Sequence, residues 1–446
     1  MSMLSIGLSG IQAAQLGLNM SARNTANMKT EGYSRQGVSL VADSRGGVEV
    51  ASLVRYGDAY RSRQLWSALS SEGEYAASDP YFHELESTMG STGGSAGEGV
   101  DAFFAALNEV STDPTSVPLR QQVITAAQSM GTRFNSLRDA LKNQLDTVAQ
   151  QAVAMSEQVG ALAATVADLN TRISEAAATK SATSELMDQR DLALGGIAKL
   201  IDVQVGTQPD GTLSVSLRNG VPLVLGGRSA KLLASSDAGG ALSLNVSLDG
   251  ASYPLASGSI GGQIGGLDDY AKVVAEKMND AKTLITELAN RVNERLTAGF
   301  GSNGAPGLAM FTVDADSGRV AVNAALTPAA LGASAAADTP GNSDNLASVI
   351  ALSKNKLTMP GLGEVSITDA YTLMVGKLGS ESAANKAALS TASIQRQQAE
   401  ANLSSVSGVS SEEEVVSVSE LLQSYQANMK VISVANEIIK VTLDAF

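Results

Sequence analysis

The chain has 446 residues, with 31 Lys and Arg against 45 Asp and Glu, for a formal net charge of −14. At roughly 150 residues per domain that length suggests about three domains, and a field of that sign repels phosphate backbones, which excludes nucleic acid as the main partner. The 0 Cys and 1 His rule out disulfides, thiolate nucleophiles, cysteine metal sites and a two-histidine zinc site.

Hydrophobic residues make up 44% but aromatic residues only 4%, so any core is built from small aliphatic side chains, which suits long helices lying side by side. The first basic residue is Arg23, so the start lacks the charged n-region of a cleaved secretory signal. No apolar run approaches the ~18 residues of a membrane span. The expectation is a soluble chain, equally suited to export by a route that cleaves no signal.

In chain order, the first thirty-odd residues read as an amphipathic helix. Leu4, Leu8, Ile11 and Leu18 mark its apolar face, with Gln15 in the slot between the last two. It ends in Asn24-x-x-Asn27-x-x-Thr30-x-Gly32-Tyr33, where Gly32 supplies a left-handed exit residue. Short alternations between Val38 and Val54, split by Gly46-Gly47, predict strands and a turn. A helix resumes near Asp58 and runs to a Gly/Ser-rich break at Gly90–Gly99. His83 lies off the apolar stripe of that helix (Phe82, Leu85, Met89) and reads as a solvent-facing residue.

From Met130 to Ile173, apolar residues step by threes and fours without a gap. Taken as unbroken from about Val117 to Ala177, this predicts a rod helix on the order of 90 Å long. Between Ile201 and Gly258 the period falls to two, with Asn219-Gly220 as a hairpin signal and turns at Asp210-Gly211 and Asp249-Gly250. Gly261–Gly266 reads as a flexible turn before a helix over Tyr270–Leu296, and the Ala/Gly/Pro-rich stretch from Ala298 to Gly341 as loop or linker. Helical patterns return at Asn345–Lys354 and Ile367–Leu403. The last helix carries Val415, Val418, Leu422, Tyr425, Met429, Ile432, Asn436, Ile439 and Leu443 at alternating steps of 3 and 4, after a Ser410 cap and three acids. Gln15 and Asn436 read as polar residues in the two terminal seams. Periodicity alone favours closure of the terminal helices within one chain, and heptads do not say whether the partner is this chain or another.

No segment carries catalytic chemistry. Gly261–Gly266 follows no βαβ strand and Gly376-Lys377 is followed by Leu378, so no phosphate loop is present. Asp314-Ala-Asp316-Ser-Gly318 starts like a calcium loop but has Ala325 at the twelfth position. The charged run Asp188-Gln-Arg190-Asp191 reads as a salt-bridged bend.

The N-terminal Leu4-Ser-Ile-Gly-Leu-Ser-Gly-Ile-Gln-Ala-Ala, followed by the Asn24–Gln36 pattern, resembles the shared start of bacterial flagellar rod, hook and hook-associated proteins. Leu186–Leu192, Asn219-Gly-x-Pro-Leu-Val-Leu-Gly226, Gly341–Asn345 and Ser407-Gly-Val-Ser-x-x-Glu-Glu-Glu414 with Tyr425-Gln-Ala-Asn428 are, in this order, similar to the hook-associated branch of that family at the hook–filament junction.

The resemblance implies an α+β, mainly α fold: an elongated multidomain rod with paired N- and C-terminal helices, a long helical bundle and an inserted β-rich domain. The expected division is 1–35 with 412–446 as the inner helical coiled coil, 36–200 with 342–411 as the helical rod, and 201–341 as the β insert plus linker. A further outer domain of longer relatives is replaced here by the stretch near 311–341. The implied role is a structural, non-enzymatic junction subunit, with no cofactor and no metal. Its implied partners are copies of itself in a ring or helical lattice, hook protein, the next junction protein toward the filament, and a cytosolic export chaperone at the C-terminal helix, with no nucleic acid and no membrane span. It is expected outside the cell on the flagellum, exported without signal cleavage. Leu4, Leu8, Ile11, Leu18, Val418, Leu422, Tyr425, Met429, Ile432, Asn436 and Ile439 would form the inner seam and subunit contacts, and Asn24, Asn27, Gly32 and Tyr33 the turn leaving it. The alternatives are a hook or filament subunit of the same superfamily, or a secreted binding or effector protein with a flagellar-type leader.

Overall fold

The computed structural model describes residues 3–445 except 45, 92, 180, 238–241, 257, 259 and 316; Asp316 of the calcium-like segment therefore lies outside the described residues. The fold is α+β, mainly α. Helix α1 (Met3–Asn27) leads into a two-stranded hairpin, β1 (Gln36–Ala42) and β2 (Val48–Arg55), and then into α2 (Ala59–Met89) and α3 (Ala96–Thr112). Asp58 caps α2 by accepting from the Tyr60 and Arg61 amides at 2.8 and 3.2 Å.

The predicted rod is one helix, α4 (Val117–Ala178, 62 residues), about 90 Å long at 1.5 Å per residue. Its apolar stripe serves two separate cores. Val123, Met130, Phe134, Leu141 and Val148 pack in the first, with α3 and the helix α6 (Gly262–Ala298). Farther along, Val159, Ala163 and Val166 pack in the second with Trp66, the helix α5 (Ser184–Leu200) and the β insert.

The insert is two antiparallel sheets. One orders β3 (Val203–Thr207), β4 (Leu213–Leu217), β5 (Pro222–Leu225) and β6 (Arg228–Ser229); the other orders β7 (Lys231–Ser236), β8 (Leu242–Leu248) and β9 (Ala251–Leu255). Strand β4 alternates with its apolar Leu213, Val215 and Leu217 inward, as the period of two requires. The Asn219-Gly220 signal is the β4–β5 turn, with Gly220 at φ +84° and its N–H on the Leu217 carbonyl at 2.9 Å. After α6 come β10 (Phe311–Val313) and β11 (Val320–Val322), α7 (Asp344–Ile350), β12 (Lys356–Met359) and β13 (Gly363–Ser366). Helix α8 (Ile367–Ser407) and helix α9 (Ser411–Asp444) end the chain.

Two glycine-rich segments differ from the reading of the sequence. Gly262–Gly266 begins α6 instead of forming a flexible turn. These glycines are buried, and a Cβ on Gly266 would overlap the backbone carbonyl of Glu74 in α2. Helix α3 likewise starts inside the predicted Gly/Ser break, where Gly97 fits under the Tyr371 ring and Gly99 against Met130 and Arg133. In both places the absence of a side chain lets helices approach closely.

Residues 298–341 are not a loose linker. Met310, Phe311, Val320, Leu331 and Ala333 are buried in the first core. Fully buried Arg120 of α4 anchors the segment, donating from Nε to the Pro114 carbonyl at 2.6 Å and from Nη1 to those of Pro328 and Leu331 at 3.1 and 2.9 Å. Asn345 of the Gly341–Asn345 motif donates to the Arg295 carbonyl at 2.9 Å and the Gly332 carbonyl at 2.5 Å, tying the segment to the last turn of α6. Small residues spaced for neither helix nor strand hide this packing from periodicity.

The two kinds of helical glycine are separable by experiment. Gly266→Ala forces overlap with α2 and is expected to lower stability by about 2–3 kcal/mol. Gly160 of α4 has open space around its missing Cβ, so Gly160→Ala is expected to gain about 1 kcal/mol of helix propensity. Urea midpoints check both; shifts of the same sign would overturn the close-approach account.

Candidate assembly interface

Helices α1 and α9 pack antiparallel as a two-helix coil. The facing positions of α1 are small: Gly7, Gly10, Ala14, Gly17, Ser21 and Asn24 step 3, 4, 3, 4, 3. A Cβ on Gly7, Gly10 or Gly17 would collide with Ile432, Asn428 or Leu421 of α9, respectively. The larger residues of α9 sit over the bare backbone of α1, as small seam residues permit.

At one end the coil closes on a polar knot. Glu414, in the first turn of α9, is 3% exposed. Its carboxylate accepts from Ser21 Oγ in a short bond, from Asn24 Nδ2 at 3.1 Å and from Arg35 Nε at 2.9 Å. Arg35 also pairs with Glu413 at 2.5 Å, and its guanidinium lies 5.5 Å from the centre of the Tyr56 ring. Asn24 exchanges two bonds with the backbone of Gln36 (2.9 and 3.0 Å) and accepts from the Tyr33 hydroxyl at 2.8 Å. Burial raises the Tyr33 phenol above its usual range; Arg23 opposes this, and the charges of Asp188 and Glu414 add to it. Gly32 takes φ +76° and lies against Leu192 of α5, which fixes the direction in which the chain leaves α1.

The charged run after the rod is not a bend but part of α5, and it is salt-bridged. Arg55, the last residue of β2, donates from Nε to Asp188 and from Nη2 to Asp191, each at 2.7 Å. Burial lifts the Asp191 carboxyl above its ordinary value against the pull of Arg55. Arg190 of the same run turns the other way. It donates to Asn170 Oδ1 and the Gly211 carbonyl at 3.2 and 3.0 Å, holding α4 and α5 to the β insert.

The expected seam residues divide into groups. Ile11 and Asn24 are buried; Leu4, Leu18, Val418, Tyr425 and Ile432 are half-buried along the coil. Asn27 and Tyr33 form the turn after α1, where Asn27 bonds the Arg23 carbonyl at 2.9 Å and the Thr30 hydroxyl at 3.2 Å. By contrast Leu8, Leu422, Met429 and Ile439 are 50%, 44%, 47% and 45% exposed. Gln15 and Asn436 are exposed too, so neither is the polar seam residue it was read to be. The coil's inner face is offset by about one residue from the apolar series, because it is centred on Glu414, Leu421, Asn428 and Ala435 opposite the small residues. Sequence reasoning met Glu414, Gly7 and Gly10 only inside motifs, gave them no place in the seam, and passed over Ser21 and Gly17; the signal present was a heptad of small residues in α1, which a search for bulky apolar periodicity skips.

His83 is exposed, near Asp79 and Glu86. Among the described residues no group of three His, Asp or Glu side chains could hold a metal ion, and no helix is long and apolar enough to cross a membrane.

Glu414→Ala strands the Ser21 and Asn24 donors and removes the buried partner of Arg35. A loss of about 2 kcal/mol in the coil is expected, read as a roughly 30-fold fall in amide exchange protection along α1 and the start of α9 with α4 unchanged. Unaltered protection of α1 would refute the knot's role.

A family model described as "Flagellar hook-associated protein FlgK helical domain" matches residues 82–311, just over half of the chain. One described as "Flagellar basal body rod FlgEFG protein C-terminal" matches residues 402–445. A Bacillus subtilis protein named flagellar hook-associated protein 1 is 24% identical, with 96% of this chain and 95% of that protein covered. The Escherichia coli protein of the same name is 25% identical over 74% of this chain, and the match spans 64% of its length. The structure of the flagellar hook junction protein FlgK from Burkholderia pseudomallei superposes with a TM-score of 0.66 at 17% identity, covering 77% of this chain and all of that one. Asn24, Arg35 and Glu414 of the knot, Asp188 and Asp191 of the pair with Arg55, and Asn345 all lie in the motifs that carried the resemblance, and with a family model over more than half its length the chain belongs to the FlgK family of flagellar hook-associated proteins.

Proposed function

We propose that the chain is a structural subunit of the bacterial flagellum that joins hook to filament by polymerising with copies of itself. One side of the subunit layer meets hook protein and the other meets the next junction protein toward the filament. It works outside the cell after export without signal cleavage, as a non-enzymatic component, and a cytosolic chaperone holds the C-terminal helix before export. In this reading 1–35 with 412–446 is the inner coil and 36–200 with 342–411 the helical rod; within 201–341 the inserted portion is the two sheets β3–β9, while α6 and residues 298–341 pack in the first core and belong to the rod.

The observation that carries the proposal is the outer face of α9. Val415, Leu422, Met429 and Leu443 are 67%, 44%, 47% and 71% exposed on the helix, beside the seam that α1 covers. A repeating apolar stripe left open along a helix is a docking surface, and heterologous contact between copies turns it into a closed ring or a helical lattice. The similarity to proteins named for the hook junction supports the same partners.

The experiment is capture of the purified chain by assembled hook protein. Leu422→Glu with Met429→Glu is expected to reduce capture at least tenfold with the unfolding midpoint of the chain unchanged, since both side chains are exposed in the monomer. Removing 420–446 is expected to abolish capture and chaperone binding while amides of the β insert keep their exchange protection. Full capture by the double variant would overturn the proposal.

A further inference from the structure

The two sheets of the insert leave one strand edge unprotected. Strands β6 and β7 lie against α4, and β9 carries Pro254, a residue that natural edges use against pairing. Strand β3 ends the first sheet on its other side, and its Val203-Gln-Val-Gly-Thr207 has neither a proline nor a charge. The direction of its backbone groups follows from the ladder. The Gln208 amide donates to the Thr212 carbonyl at 2.9 Å and the Leu217 amide to the Val221 carbonyl at 2.8 Å, while Gly206 faces Ser214 and Gln204 faces Ser216. Bonded and non-bonded pairs alternate along an antiparallel ladder, so the N–H and C=O groups of Val203, Val205 and Thr207 turn away from β4 toward the open edge.

We infer that this edge takes an extended acidic segment of a partner protein as an added strand, in the cleft between β3 and α2. The cleft has a volume of about 420 Å³ and touches Val203, Gln204 and Val205 in succession. Successive side chains of a strand point to opposite faces, so a cleft that meets all three borders the edge of β3 and not a face. Its other wall is the first part of α2, where Arg63, Trp66 and Ser67 share one helical face. Charge selects the occupant. Arg218 at the near end is already paired with Asp202 at 2.8 Å. Arg63 is exposed and makes no ion pair among the described residues. In a chain with a net charge of −14, an unpaired cation beside an open edge favours a carboxylate on the incoming strand. Main-chain bonds to Val203, Val205 and Thr207 supply the affinity and Arg63 the choice of partner, which is the division found in recognition by strand addition. A second copy offering the same β3 edge would bring two Arg63 side chains into one cleft, and like charges oppose that pairing.

The inference stands apart from the junction reading, and its test contains no hook protein. The probe is a synthetic peptide of alternating Val and Thr with one terminal Asp, blocked at both ends and labelled for fluorescence anisotropy against the full chain. Saturable binding is expected, with slower amide exchange at Val203, Val205 and Thr207. Arg63→Glu, at an exposed position, is expected to weaken binding about tenfold with the unfolding midpoint unchanged, and a peptide with Lys in place of Asp is expected to recover it on that variant. Thr207→Pro removes an outward N–H and no ladder bond, and is expected to weaken binding with the sheet intact. Absence of binding overturns the inference. So does equal binding of a control peptide with Pro at alternate positions, which cannot pair as a strand, and so does equal affinity of the Arg63→Glu chain for the Asp and Lys peptides. Self-association of the chain alone that slows exchange at the same three amides would put a second copy on the edge and overturn the acidic partner.

Discussion

A buried carboxylate with three donors from one distant part of the chain is the constraint on which the assembly end of this molecule depends. Glu414 lies about 390 residues from Ser21 and Asn24 in sequence, and its desolvation is tolerable only because each of those donors, and Arg35, is in place. Slide α9 along α1 by one turn and the carboxylate would face the bare backbone of the glycine positions instead. The glycines accept many registers with little steric difference between them; the polar knot accepts one. Close approach and register are thus supplied by different residues, and neither set would build the coil alone.

The same division of labour recurs in the body. A single helix of 62 residues carries two cores, so the helical bundle and the β insert cannot tilt independently without bending α4. Arg190 and Asn170 strengthen that link by tying α4, α5 and the turn before β4 together.

Much of this was legible from bulky side chains. The rod, the Asn219-Gly220 hairpin and the C-terminal helix follow from Leu, Ile and Val at periods of 3.6 and 2. What stayed hidden rests on residues that lack side chains or whose partners are remote. Gly262–Gly266 signals a turn by composition, yet Gly266 is helical because Glu74 leaves no room for a Cβ; only the neighbouring helix reveals that. The segment 298–341 has few large residues, and it folds onto α4 through carbonyls that converge on Arg120, a pattern with no period. Leu422 and Met429 were expected in one inner seam with Val418, Tyr425 and Ile432, but heptads cannot say which side of such a series turns inward, and here those two face outward. The resemblance picked out Asn24, Asp188 and the Glu412–Glu414 run as motifs without showing that they meet.

The exposed stripe and the small-residue seam have a common physical explanation. Burying a Leu or Met side chain contributes about 1.5–3 kcal/mol, and a coil that turned its bulky residues inward would use that energy within the monomer. Placing glycine, alanine and serine on the facing side of α1 keeps the intramolecular contact thin. Of the described residues in α9, only Glu414 and Ala435 are fully buried. The apolar surface that would have stabilised a closed two-helix hairpin stays on the exposed face of α9, at Val415, Leu422, Met429 and Leu443. The knot at Glu414 then has a reason to be ionic: a coil with so thin an apolar contact takes its register from a buried carboxylate and its three donors.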